Sequence, residues 1–364
     1  MRFAPLALAL LALVAGVVLG WLWLAVLGGA QTALGARDLL QRRHSILRNY
    51  PIIGHGRFLL ESIRPELQQY FVERNFDGRA FDRDTRSSIY QRAKGVKDEQ
   101  AYGTERDVGE AGYEWLMHST APLDPPDPPT RVRVGGPDCT QPYDMALLNV
   151  SAMSFPALSG AALTALSAAR RPAASPTTRG EGGLIRHHLE GDDVIWELGS
   201  GYFGARTDDG GFDRGEFRDK AAHERVRIVK RLAIGPDYTN AARAMMMAVG
   251  CIRSQRCHTN TCPVGVAIQD PRRARALDMP DKIERVRRYQ SAVVKEAMRV
   301  MASMGVGEPA QLTPHMLMRR VTAARISSYA ELYHRLEPGE LVGEPPDFWA
   351  ADWARANPDS FAVA

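Results

Sequence analysis

From Phe3 to Ala30 the chain carries no charged residue, and no other feature narrows its folding options as much. A helix needs about 20 apolar residues to cross the hydrocarbon core of a bilayer, and this run is longer. Trp21 and Trp23 stand towards its far end, where indole rings favour a membrane interface. Arg2 precedes the run, and Arg37, Arg42, Arg43 and Arg48 come after it. That charge bias predicts one N-terminal transmembrane helix within residues 1–35, a single pass through the inner membrane with the bulk of the chain cytoplasmic. A cleaved signal peptide is the competing reading, since small residues from Gly28 to Ala36 could pass for a cleavage site. The apolar run is, however, well beyond the roughly 7–15 residues of a signal core. A buried core helix is disfavoured because the run has no polar face.

The 364 residues, 45% of them hydrophobic, suffice for one large domain or two modest ones. A net charge of +4 argues neither for nor against nucleic acid, and with no basic face interleaved with aromatics no nucleic-acid partner is expected. Four cysteines in a chain of this length do not make a disulfide framework. Three of them crowd into one segment, a usage that suits metal or redox chemistry in a reducing compartment.

Residues 36–121 read as a helical and irregular region. Leu59, Ile63, Leu67 and Phe71 recur at helical spacing, and Pro65 is expected to open a second helix. Asn75 to Thr104, dense in Arg, Asp and Glu, reads as a solvated connection. Residues 122–130 form a stiff proline-rich linker. Residues 131–340 are expected to form the main domain, and 341–364 a tail. Within that domain, strands are predicted at Arg131–Val134, Ala146–Phe155 and Val194–Leu198, with a helix over Ser159–Ala169. Arg170 to Gly183 reads as an irregular loop. Asp281 to Met304 is a predicted helix with Ile283, Val286, Val293, Ala297, Val300 and Met304 on one face, stopped by Gly305. Its methionines, like Met245 to Met247, are read as core.

Cys251, Cys257 and Cys262 are set at a C-x5-C-x4-C spacing, with Pro263 after the last. Thiolates this close, wrapped on one loop, can each cap one iron of a cluster, and a Cys-Pro pair also ends bacterial ferredoxin runs. Three local ligands suit a three-iron cluster; a four-iron one would need Cys139 as well. Zinc with His258 as fourth ligand is a rival, although structural zinc sites favour close C-x2–4-C pairs. Three buried free cysteines are the bland alternative. Spacing alone leaves all of these open.

Residues 250–269 (GCIRSQRCHTNTCPVGVAIQ) resemble the iron–sulfur signature of glutamate synthases and of the shorter FMN-binding glutamate synthase family proteins. The resemblance implies a 3Fe–4S cluster on Cys251, Cys257 and Cys262, exchanging electrons with FMN. Gly135 to Ser159 resembles the family's first barrel strand, whose backbone and small side chains lie against the flavin. It implies FMN contacts at Ser151, Met153 and Ser154, with Pro156 standing where the family has glycine. Ile234 to Met247 resembles the last barrel strand and the loop after it, which implies that Asn240, Ala241, Ala242 and Arg243 hold the FMN phosphate. Ile195 to Arg206 also resembles the family. Its Gly199, Gly201 and Gly204 make a formal G-x-G-x-x-G, but the residues after it are not helical and no βαβ unit surrounds it, so a dinucleotide site is not expected.

The resemblance therefore implies an α/β fold, an incomplete (β/α)8 TIM barrel of glutamate synthase FMN-domain type behind the N-terminal helix. A complete barrel takes about 250 residues. Between Met153 and Cys251 there is room for only about three βα units, so the central strands are missing and an internal deletion is expected. The implied activity is that of an oxidoreductase reducing an imine of 2-oxoglutarate to L-glutamate. With no N-terminal cysteine nucleophile and no pyridine-nucleotide domain read in the sequence, ammonia must come from elsewhere and electrons from a donor protein such as a ferredoxin or reductase subunit. The alternative is a catalytically inactive, membrane-bound remnant acting as an electron-transfer or interaction module.

Overall fold

A computed structural model describes residues 3–41, 45–96, 99, 103–153, 157–169, 177–178, 183–191, 193–198, 202–231, 239–333, 336, 340–341, 343 and 345–355. The chain divides into two compact units, Met1–Arg86 and Ser87–Ala364.

In the first unit the apolar run is not one helix but two, α1 (Ala4–Val18) and α2 (Leu22–Leu40), folded into a hairpin. Gly20 turns the chain with φ +67°, a conformation glycine adopts without a Cβ penalty. The helices then lie backbone to backbone: a Cβ on Gly16 would sit 2.3 Å from the Ala25 nitrogen, and one on Gly28 2.4 Å from that of Leu13. The single transmembrane helix expected from the sequence is thereby overturned. At about 1.5 Å per residue the 15 residues of α1 fall short of a bilayer core, and α2 ends in the charged Arg37 and Asp38. Among the described residues no helix is long and apolar enough to cross a membrane. The single-pass placement in the inner membrane, and the orientation deduced from it, fall with that helix.

Asp38 is buried, accepts from the Ile52 N–H at 3.0 Å and meets His55 Nε2 at 2.9 Å, which ties the end of α2 into the unit. Beyond α3 (Ser45–Asn49), helix α4 (Gly54–Leu67) runs straight through position 65 into a π-helical turn at Gln68–Val72, so Pro65 does not open a new helix. The Asn75–Thr104 stretch is not merely a connection. It contains α5 (Arg83–Lys94), whose Arg86, Ile89 and Ala93 are buried.

The second unit contains strands β1 (Glu114–Leu116), β2 (Arg131–Val134), β3 (Tyr143–Ala146), β4 (Leu148–Val150), β5 (Thr177–Thr178), β6 (Val194–Leu198), β7 (Val226–Arg231), β8 (Thr239–Ala241), β9 (Leu317–Thr322) and β10 (Arg325–Ser328). Its helices are α6 (Gly160–Ala168), α7 (Arg214–Ala221), α8 (Arg243–Val249), α9 (Pro271–Ala274), α10 (Met279–Ser303), α11 (Tyr329–Leu332) and α12 (Asp347–Arg355). Strands β4 to β8 form a parallel sheet in the order β7-β6-β5-β4-β8. The α/β content agrees with the expected class, and β5 falls inside the segment read as an irregular loop. An antiparallel sheet, β1-β9-β10, and the β2–β3 hairpin complete the strands.

Helix α6 starts where Ser159 caps it, the hydroxyl accepting from the Ala162 N–H. Its Leu163 and Leu166 are buried, as are Val194, Ile195 and Trp196 of β6. Helix α10 packs on α6, α8 and β4, and Met298, Met301, Met304 and Val306 form a core cluster at its end. Methionines read as core in the sequence are indeed buried there and at Met245 and Met247. The buried face of α10 differs from the predicted one, however: Val286 lies on it, but Val300 is 42% exposed while Met298, Met301 and Ala302 are buried. The predicted spacing has a 3.5-residue period, which drifts by about 20° per heptad around a straight helix.

Candidate functional site

The cysteine loop begins where Gly250, at φ +128°, ends α8. The Cys251 N–H still donates to the Met246 carbonyl at 3.0 Å, so the first cysteine is fixed to the helix end. Its carbonyl accepts from the Tyr90 hydroxyl at 2.7 Å. Arg253, Gln255 and Asn260 have φ of 59°, 56° and 55°, uncommon for residues with a Cβ, and these turns wind the loop tightly. Cys257 to Thr259 form one 3-10 turn. Asn260 Oδ1 then accepts from the Gln269 N–H at 2.8 Å, and Gln269 Nε2 donates to the Leu158 carbonyl at 2.9 Å. The far end of the loop is therefore held to the chain just before α6.

Cys262 is buried, Cys251 half-buried and Cys257 exposed. The Arg253 N–H points at Cys251 Sγ, 3.4 Å away. Burial pushes the Cys251 thiol above its ordinary range, the Arg253 N–H opposes this, and Cys257 and Cys262 raise it further. Among the described residues no three His, Cys, Asp or Glu side chains are grouped so as to hold a metal ion, so the geometry brings together neither the three loop cysteines as a ligand set nor the zinc alternative with His258. Cys139 is exposed in the β2–β3 turn, its side chain against Gly135.

The flavin residues implied by resemblance come from two parts of the chain that the sheet makes neighbours. Strands β4 and β8 pair in parallel with Asn149 opposite Asn240 and Val150 opposite Ala241. The Ser151 N–H donates to the Ala241 carbonyl at 3.1 Å, just past the end of β4. Ser151, Asn240 and Ala241 are thus brought together, with Ala242 and Arg243 next along the chain. Asn240 Oδ1 is buried without a hydrogen-bond partner. Ala242 is the N-cap of α8 and supplies no side-chain cap, which leaves the first N–H groups of the helix without that partner. Met153 lines a cavity of about 10 Å³ with Ser151 and Val150, far smaller than a flavin. Ser154, Pro156, Gly199 and Gly201 lie outside the described residues. Gly204 serves packing: at φ +92°, a Cβ there would meet the Gly183 Cα at 2.6 Å. A run of turns comes after it, and the next helix starts only at Arg214.

Tyr90 escaped the sequence reading, since its bond to Cys251 joins residues 161 positions apart. The same holds for Gln290 of α10, buried and donating to the Leu148 carbonyl at 2.6 Å. No local signal marks either residue.

Fold and loop together define an α/β protein with a cysteine-bearing loop closely behind the last strand of a parallel sheet. The model of the conserved region in glutamate synthase matches residues 141–209 and 222–307, which contain both the strand pair and the loop. The glutamate synthase large subunit-like protein YerD of Bacillus subtilis (strain 168) is 23% identical over 494 residues, taking in 82% of this chain and 94% of that protein. The glutamate synthase [NADPH] large chain of Azospirillum brasilense is 33% identical over 79 residues, 21% of this chain and 5% of its own length. The ferredoxin-dependent glutamate synthase 2 of Arabidopsis thaliana is 34% identical over 98 residues, 27% of this chain and again 5% of its own. Over residues 141–209 and 222–307, less than half of its length, the chain is similar to the conserved region of glutamate synthases. It spans nearly the whole of the Bacillus protein but only a small part of the long synthases. Because 82% of 364 residues cannot fill 494 aligned positions, many positions of that Bacillus relative have no counterpart here.

Proposed function

We propose that this chain is a glutamate synthase-type oxidoreductase, with Cys251, Cys257 and Cys262 holding a three-iron cluster. FMN would lie across the ends of β4 and β8, against Ser151, Met153, Ser154 and Asn240 to Arg243. The observation that carries the reading is the β4–β8 register, which puts Ser151 beside Ala241 and leaves the buried Asn240 Oδ1 without a partner. A buried acceptor of that kind is costly unless a ligand donor meets it. Bound there, FMN would supply hydride to an imine of 2-oxoglutarate, giving L-glutamate, with electrons arriving through the cluster from a separate donor protein such as a ferredoxin or reductase subunit. The uncapped start of α8 and the Arg243 beside it suit the phosphate. The Arg253 N–H suits a cysteine sulfur that carries negative charge.

A second reading is favoured by the small cavity at Ser151 and Met153 and by the many positions of the Bacillus relative with no counterpart here. On that reading the chain keeps the cluster, lacks flavin chemistry, and serves as an electron-transfer or interaction module. The absorption spectrum of the anaerobically purified full chain, with iron and flavin measured per polypeptide, separates the two. Flavin bands over an iron–sulfur shoulder support the oxidoreductase, and glutamate formation becomes the assay. A shoulder without flavin leaves the second reading alone, and a protein holding neither iron nor flavin sinks both.

A further inference from the structure

Gly250 and Ile252, the residues flanking Cys251, form part of the wall of a cavity of about 550 Å³. That volume lies in the range of small-molecule pockets, roughly 300–1,000 Å³. Ile252, Val264 and Leu277 give it an apolar lining, and Lys94, Lys282 and Arg285 bring three cations to it. Among the described residues one carboxylate offsets them: Asp281 accepts from Lys282 Nζ at 2.6 Å and lies 3.8 Å from Arg285 Nη1. Arg285 Nε is buried and has no hydrogen-bond partner. A buried, unpaired guanidinium N–H beside a cationic, partly apolar hollow is a recognition element without its anion.

We propose that this cavity binds a small organic oxyanion, a carboxylate or phosphate on a short apolar body. Arg285 and Lys282 hold the anionic head, and Ile252, Val264 and Leu277 surround the body. The Tyr90 hydroxyl holds the Cys251 carbonyl, and Tyr90 lines the same cavity, so an occupant touches the support of the cysteine loop. The site is separate from the flavin residues on β4 and β8.

Calorimetric titration of the purified full chain tests the proposal, with octanoate and octyl phosphate as probes. Octanol offers the same body without charge, and inorganic phosphate offers charge without the body. Saturable binding of octanoate or octyl phosphate, with both controls weaker by about tenfold or more, is the expected result. The stronger of the two probes names the head group. Arg285→Leu should cut affinity by about tenfold, and Lys282→Gln should weaken it several-fold without touching the buried guanidinium. If Arg285→Leu does not fold, Lys282→Gln and Arg285→Lys, which should retain part of the binding, decide the matter. The proposal is overturned if neither probe saturates, if octanol or inorganic phosphate binds as well as the amphiphilic anions, or if the folded variants bind like the wild type. Iron and flavin content report on other groups, so failure here leaves the proposed redox function standing, and the reverse.

Discussion

Each of the three loop cysteines differs from Cys139 in its surroundings, and the difference decides what a serine should do. Cys251 is half-buried with an N–H on its sulfur, Cys262 is buried, and Cys257 is exposed on the same loop, whereas Cys139 is exposed in a hairpin turn. Cys251→Ser, Cys257→Ser and Cys262→Ser should each lose most of the bound iron and the visible shoulder, while Cys139→Ser keeps both. Equal iron in all four variants would remove the cluster assignment. A second single-residue effect belongs to Arg86, which is 5% exposed and pairs with Glu73, itself 8% exposed. Its guanidinium also donates to the Phe81 carbonyl at 3.1 Å. Removing one member of a buried pair strands the other charge, at a cost of about 3–5 kcal/mol. Arg86→Met should lower stability by that order in urea unfolding, and adding Glu73→Leu should recover part of it. A neutral single variant would mean that Glu73 is rehydrated or protonated when its partner leaves.

At the level of the element, the N-terminal hairpin depends on glycine where its helices touch. Gly28→Leu would drive a side chain into the Leu13 backbone, and overpacking of this kind costs about 1–3 kcal/mol. Amide exchange over α1 and α2 should accelerate in that variant and not in Gly56→Ala, where a Cβ meets nothing within 4 Å. Helix α10 carries a different local device. Arg287 and then Arg288 hydrogen-bond the Glu284 carboxyl and hold it at about 2, below its ordinary 4.5. The contribution is fully present above the ordinary value and is lost as pH falls towards 2; for a pair this open to solvent it is worth less than about 1 kcal/mol. Carbon NMR of the Glu284 carboxyl should give a midpoint near 2, and removing both arginines should move it up. Elements with local signals were legible in the sequence. The alanine run marks α6, the Val194–Ile195 pair marks β6, and the long apolar period stopped by Gly305 marks α10. Elements that depend on distant partners were not. Strand β1 pairs Glu114 with Arg319 and has no buried residue of its own, and α5 has too few apolar positions to show a stripe. The hairpin was misread because hydropathy reports how apolar a run is, not whether a glycine turns it back on itself. Of the site, the cysteines were visible in their spacing, but the β4–β8 neighbourhood, Tyr90 and the cationic cavity exist only after folding.

For the whole molecule, the open parallel sheet poses a question of chain length. Strands β7 and β8 are consecutive in sequence yet occupy opposite edges of the sheet, and only residues 232–238 separate them. A parallel crossover takes about a dozen residues or more. Strand β8 instead pairs with β4, as the last strand of a closed barrel pairs with the first. The sheet thus keeps the two strands that would meet at barrel closure, together with those next to the first. Many positions of the Bacillus relative have no counterpart in this chain. Inserting between β7 and β8 residues of that relative that have no counterpart here would lengthen the connection and could supply strands for both sheet edges. The chimera should bind more FMN per chain than the wild type, read from flavin absorbance after release, while its iron content stays the same because the cysteine loop and its supports are untouched. If flavin content does not rise although the chimera folds, closure is not what limits the site, and attention moves to Pro156, where the family has glycine. If iron falls as well, the loop depends on the open sheet as it stands, and cluster and barrel are not separable.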